Sequence, residues 1–437
     1  MKAIEAKHLA RFRADYENDP AAAVLHPAVS SADLSDLAYS PLEAAKLRGA
    51  FTIELKTRGI TAQQHSGRCW MFAVMNILRE KAADTLGLDE FELSGNFLAF
   101  FDKLEKSNNF LESIIRTADK PLLDREVEYI LNSFHDGGYW DMAVDLVKKY
   151  GAVPKKVMPE TFQSTNTERF TRLLNSRLRA CAAELRALIA EGKDPEPRKE
   201  EMLSEIYRAE CIVFGEPPTQ FDFEYRDKDG VYHAERDLTP KAFYKRFIGL
   251  DLDEYITVTD HPTSGLPANY YYQFHYIGSM AEGRILNLNL TTQELEDLCL
   301  AQVKGGEPVW FGCDSKAFGH RANGIWDPAS LPYGSLLGGL DFSLTKGERL
   351  EYHDSYATHA MLFVGVNLDK DGQPNRWKIE NSWGGEVGDK GYFVCSRRYF
   401  REYVYEAIIN KKHLSPAQRA LLDAEPAEIN AWESDWK

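Results

Sequence analysis

The sequence predicts an α+β chain with a helix-rich first part, a sheet-rich second part and a helical insertion between them. Two observations carry this. From Trp70 onward, Trp70, Ala73, Val74, Ile77 and Leu78 recur at spacings of three and four, which marks one apolar helix face. In the last third, residues 309–313, 361–366, 376–379 and 392–394 are short β-type runs separated by Gly, Pro and Asn. A cleft between two such parts is a common home for an active site.

The elements follow in order. Residues 1–60 read as an ordered lead-in that packs on the core: a charged helix-like start, turns around Pro27 and Pro41, and a short alternating strand at 51–55. Residues 61–165 form the helical lobe, with Ser66-Gly67 as a loop and candidate cap before the helix at Trp70. Residues 166–260 form the insertion. Its stretch 167–212 is rich in Arg, Glu, Leu and Ala and is broken by Lys193-Asp194-Pro195-Glu196-Pro197, which gives two helices joined by a turn. Gly215-Glu216-Pro217-Pro218 ends the second. Residues 261–425 form the β-rich lobe, and 426–437 a C-terminal arm.

Composition excludes several classes. Across 437 residues, 44% are hydrophobic and 27% charged, the mix of a globular chain rather than a collagenous or disordered one. The balance of 52 basic against 67 acidic residues leaves a net charge of −15, which opposes nucleic-acid binding. No apolar run approaches the roughly 20 residues that span a bilayer. The first twenty residues mix both charge signs and lack the apolar centre of a signal peptide, so a cytoplasmic location is expected. Six cysteines at 69, 181, 211, 299, 313 and 395 form neither a CxxC nor a Cys/His cluster at zinc spacing, and no metal is expected.

Of these cysteines, Cys69 has a chemical context. Gln63-Gln64-His65-Ser66-Gly67-Arg68-Cys69-Trp70 places it at the mouth of the predicted helix, where free amides and the helix dipole favour a thiolate. Six residues upstream (69 − 63), Gln63 can pair its side-chain amide with the Cys69 N–H as a two-donor oxyanion hole. The best base among eleven histidines is His359, at the start of an apolar strand-like run. Another 22 residues on (381 − 359), Asn381 can orient its imidazole and Trp383 can shield their hydrogen bond from water. An asparagine suits a site whose ground state is already a thiolate–imidazolium pair.

Together these motifs resemble the papain-like cysteine peptidases, in the branch of bleomycin hydrolase and the bacterial aminopeptidases C. Arg68 favours that branch over secreted relatives, which usually carry Ser or Ala there. Asp136-Gly137-Gly138-Tyr139-Trp140-Asp141, Lys148-Lys149-Tyr150-Gly151-Ala152-Val153-Pro154-Lys155, Pro308-Val309-Trp310-Phe311-Gly312-Cys313-Asp314, Lys390-Gly391-Tyr392 and Tyr403-Val404-Tyr405-Glu406 extend the likeness from about residue 45 to the end. The resemblance implies a two-lobed papain-like fold and a thiol aminopeptidase acting on peptides without a cofactor. Its catalytic residues would be Cys69, His359 and Asn381, with Gln63 as oxyanion donor and Gly138 pairing its backbone with the substrate chain.

The departures add to this. Secreted relatives bridge two cysteines where this chain has Ser66 and His135, which fits a reducing compartment. The Cys-to-His separation is 290 (359 − 69), against roughly 130–150 in papain, and the insertion accounts for much of the excess. In the family such an insertion is the hook that links subunits into a homohexamer. With 68 residues before Cys69, control of access is expected from the C-terminus, which in the family lies in the cleft and offers its carboxylate to the substrate α-ammonium. Here that carboxylate belongs to Lys437, or to a residue exposed by trimming, and the usual small-residue ending is missing. The rival readings are an endopeptidase of the same fold and a non-catalytic peptide- or nucleic-acid-binding hexameric assembly.

Overall fold

Strand His359–Leu368 shows how the sequence builds the centre of the molecule: Ala360, Leu362 and Val364 enter one hydrophobic core, while Met361 and Phe363 enter another. A strand covered on both faces needs such an unbroken apolar run. The computed structural model describes residues 2–275 and 280–431. The expected α+β, two-part architecture is what it contains.

The first part is helical. It holds α1 (Cys69–Leu86), α2 (Gly95–Arg116) and α3 (Trp140–Tyr150). Helix α1 is apolar nearly all round, because its neighbours cover it on both sides, and it ends on Gly87 in the left-handed conformation. The insertion follows with α4 (Glu168–Ala190) and α5 (Glu196–Phe214), broken where Pro195 and Pro197 punctuate the chain. These helices bury Leu174, Leu178, Leu185, Met202 and Ile206 against Phe110, Leu111 and Ile114 of α2. After them comes a hairpin, β1 (Phe221–Arg226) and β2 (Tyr232–Leu238), where a helical insertion was expected.

The second part is a twelve-stranded sheet. Its main strands are β3 (Tyr255–Thr259), β4 (Tyr270–His275), β5 (Ile285–Asn289), β6 (Val309–Cys313), β7 (His359–Leu368), β8 (Pro374–Glu380), β9 (Tyr392–Ser396), β10 (Val404–Asn410) and β11 (Ala427–Asn430). They lie in the order β11-β4-β5-β3-β10-β6-β7-β8-β9. Residues 255–259, placed at the end of the insertion by sequence, thus belong to this sheet. One sheet face packs on α1 and its neighbours, and the other on a helix at Thr292–Lys304. The lead-in strand is two residues long, Ile53–Glu54, and pairs with Val366 and Gly365 on β7. Ahead of it, helices Ala6–Glu17 and Pro20–Val29 bury no residue. None of the described helices is long and apolar enough to cross a membrane.

Candidate active site

Helix α1 begins at Cys69 itself, and the sulfur faces a cavity of about 510 Å³ between the two parts. Ser66 is not the cap that the sequence suggested. Its hydroxyl turns back to the Gln63 carbonyl, and Arg68 occupies the cap position without a side-chain bond to the helix. The first amides therefore stay available, and the N–H groups of Ala360, Trp70 and Cys69 all act on the sulfur. Burial nevertheless pushes the Cys69 thiol above its ordinary value. Desolvation thus outweighs the pull of those amides on the sulfur.

Across the cavity, β7 presents His359, with Cys313 and Gly312 of β6 opposite His359 and Ala360. His359 Nε2 lies 2.8 Å from Asn381 Oδ1, at the end of β8. That same oxygen accepts the Ser382 N–H at 2.7 Å, which fixes the orientation of the amide. Nε2 must therefore carry the proton and donate it, leaving the Nδ1 lone pair of the neutral ring to take one. Trp383 stacks on the imidazole with ring centroids 4.7 Å apart. Burial, opposed by Asn381 and helped by Arg321, lowers the imidazolium to about 4.

Gln63 is buried and does not line the cavity. Its Oε1 accepts from Ser382 Oγ at 2.7 Å, its backbone N–H donates to Ser382 O at 2.8 Å, and Nε2 donates to Ser66 O. One Nε2 hydrogen remains for a further acceptor. These bonds join the loop before Cys69 to the strand end that carries Asn381. Gly138 does line the cavity, and a Cβ there would come within 2.7 Å of the Trp70 indole. Lys437 lies outside the described residues, but β11 runs parallel to β4 and places Ile429 in the cavity wall.

Several supporting groups take roles around these residues that were not read from the sequence. Where secreted relatives have a bridge, the Asp136 carboxylate joins the two loops. It accepts from the Gly67 N–H at 3.4 Å, Lys103 at 2.5 Å, Thr171 at 2.7 Å and the Thr167 hydroxyl. Burial opposes its ionisation, but Lys103 and the two hydroxyls outweigh it and hold the carboxyl well below the usual range. Buried Lys106 donates to Gly137 O at 2.7 Å and His135 O at 3.1 Å and pairs with Asp102 at 3.0 Å, while its ammonium lies over the Trp70 ring. Arg68, the branch-marking residue, pairs with Glu160 at 3.1 Å and reaches Ser66 Oγ at 2.9 Å. A buried Arg79–Glu380 pair at 2.9 Å ties α1 to β8 directly before Asn381, and Trp310 Nε1 donates to Trp70 O at 3.1 Å.

Comparison with known proteins agrees with this geometry. A family model described as the Peptidase C1-like family matches residues 3–435. Aminopeptidase C of Listeria monocytogenes is 40% identical over 429 residues, covering 98% of this chain and 97% of that protein. Aminopeptidase G of Lactobacillus delbrueckii subsp. lactis is 40% identical over 438 residues and covers 99% of both. The crystal structure of PepW from Lactobacillus rhamnosis HN001 superposes with a TM-score of 0.96 at 40% identity, over 99% of this chain and 98% of that one. With its whole length matched and its cysteine and histidine facing one cavity, the chain belongs to the Peptidase C1-like family, in the aminopeptidase C branch.

Proposed function

We propose that this protein is a cysteine aminopeptidase that removes N-terminal residues from peptides through a thioester on Cys69. The observation that carries the reading is a single cavity lined by Cys69, by His359 and by Ile429 of the C-terminal strand. In the first step His359 Nδ1 takes the Cys69 proton as Sγ bonds to the first peptide carbonyl carbon. Asn381 holds the ring, and the Cys69 N–H with the remaining Gln63 Nε2 hydrogen holds the oxyanion. Collapse breaks the C–N bond, and the leaving amine takes the proton from His359. Water then gives a proton to His359 and its oxygen to the thioester carbonyl. The amino acid leaves, and Cys69 regains its proton.

The likeness to the aminopeptidases C favours an aminopeptidase over an endopeptidase, and Ile429 of β11 narrows the cavity from one side. Six thiol-form cysteines suit a cytoplasmic setting, and exposed Leu9, Phe12, Tyr16 and Val24 suit subunit contacts in a homohexamer. A dipeptide amide series with free and N-acetylated ends tests the activity. Wild type should cleave free ends only, and Cys69→Ala should cleave neither. Equal cleavage of blocked substrates would favour the endopeptidase, and near-normal turnover by Cys69→Ala would refute the chemistry. Light scattering near six chains supports the assembly, and a micromolar monomer rules it out.

A further inference from the structure

We propose that Glu406 is a specificity-determining residue that receives an ammonium group of the bound peptide; this rests on the aminopeptidase reading above. Glu406 on β10 stands opposite Gly312 on β6, and Gly312 stands opposite Ala360 on β7. The three lie side by side on the sheet face that meets Cys69: Ala360 shares a core with Trp70 of α1, and Glu406 lines the same cavity as Cys69. A Cβ at position 312 would collide with Glu406 Oε1. The carboxylate therefore occupies the space that glycine leaves empty, about one strand spacing (~4.8 Å) from Ala360. An ammonium seated there is close enough to Cys69 for a substrate whose carbonyl is under attack.

Three features mark Glu406 as a receptor with its cation missing. It lines the cavity while only 5% exposed. Its side chain makes no hydrogen bond or ion pair with the described residues. The titratable groups that interact with it are Asp141, Cys69, Cys313, Tyr139 and Tyr272, and none of them supplies a cation; the exposed Lys316 lines the same cavity without pairing with it. A buried carboxylate in that position is costly until a positive charge joins it. Burial, then Asp141, pushes its carboxyl up to about 8. The arriving ammonium can be the α-ammonium of the peptide or the side chain of a basic residue. The recognition chemistry is the same, and substrates separate the two sources.

The test compares wild type with Glu406→Gln, which keeps the shape over Gly312, on lysyl, norleucyl and leucyl amides and their N-acetyl forms. If the α-ammonium binds there, kcat/KM should fall at least tenfold on all three free substrates, narrowing their margin over the acetylated ones. If the side chain binds there, the substitution should erase a tenfold preference for lysyl over norleucyl. Neither ratio moving by more than twofold would overturn the proposal. A second measurement needs neither the variant nor peptidase activity. Pentylammonium should protect wild-type Cys69 from iodoacetamide at least tenfold better than pentan-1-ol, and equal protection overturns the proposal. A wild type without thiol-dependent hydrolysis would instead refute the aminopeptidase reading, leaving this second result to be judged alone.

Discussion

At the scale of single residues, burial places Cys69 and His359 under the same demand. Each is pushed toward its neutral form, the thiol upward and the imidazole down to about 4, so either charge persists only by attraction to the other. His359→Ala should therefore leave a thiol, and iodoacetamide alkylation of Cys69 at pH 7 should slow on the order of 100-fold. An unchanged rate would mean that the backbone amides alone activate the sulfur. Gln63→Ala should lower kcat roughly 10²–10³-fold with KM little changed. A change confined to KM would place Gln63 in binding instead. Cys69, His359, Asn381 and Gln63 were legible in the sequence because each sits in a short, chemically unusual context. Lys106 and Asp102 were not: a lysine four residues after an aspartate on a helix reads as a solvated pair. Only the folded chain covers them.

At the scale of elements, the site depends on buried charges that hold backbone segments in place. Lys106 is bonded to the carbonyls of His135 and Gly137, which form the cavity wall beside Gly138. Lys106→Met removes the ammonium that serves both carbonyls and strands Asp102, which burial already pushes up to about 6. It should cost about 3–5 kcal/mol in urea unfolding, and adding Asp102→Asn should recover part of that loss. Additive losses in the double variant would show that the pair is not coupled. The strands β6, β7 and β9 were legible as apolar runs bounded by turn residues, and β8 because Trp377 and Ile379 alternate with Arg376 and Lys378. The hairpin Phe221–Leu238 was not singled out, although residues 221–226 alternate with period two. Its strands carry many charges and lie next to two strongly helical segments, so their composition reads as more helix. Strand β11 escaped notice for a different reason: four residues pair in parallel with β4, a partner more than 150 residues earlier.

At the scale of the whole molecule, the buried titratable groups set how stability responds to pH. His359 and His135 are held to about 4, both chiefly by burial, so the unfolded chain binds more protons than the native one between about pH 4 and 6.5. Their contribution is complete above pH 6.5 and is lost as pH falls toward 4. Asp141 and Glu406 act in the opposite sense. Burial raises them to about 7 and about 8, so the native state holds protons that the unfolded chain has released. Above pH 6.5 only this second effect remains among these four groups, and the urea midpoint should fall from pH 6.5 to 8. Glu406→Gln should flatten that decline, and an equal slope in the variant would show that Glu406 does not titrate there.

The same whole-molecule view sets the most direct test of the nucleophile. Of the six free cysteines only Cys69 and Cys211 are partly exposed, and Cys69 alone lines the cavity with His359. Limited iodoacetamide treatment, followed by peptide mass mapping and residual turnover on the same samples, compares modification with function. Activity should fall in proportion to carbamidomethylated Cys69 while Cys211 is still largely unmodified. Full activity in protein whose Cys69 is completely alkylated would contradict the assignment.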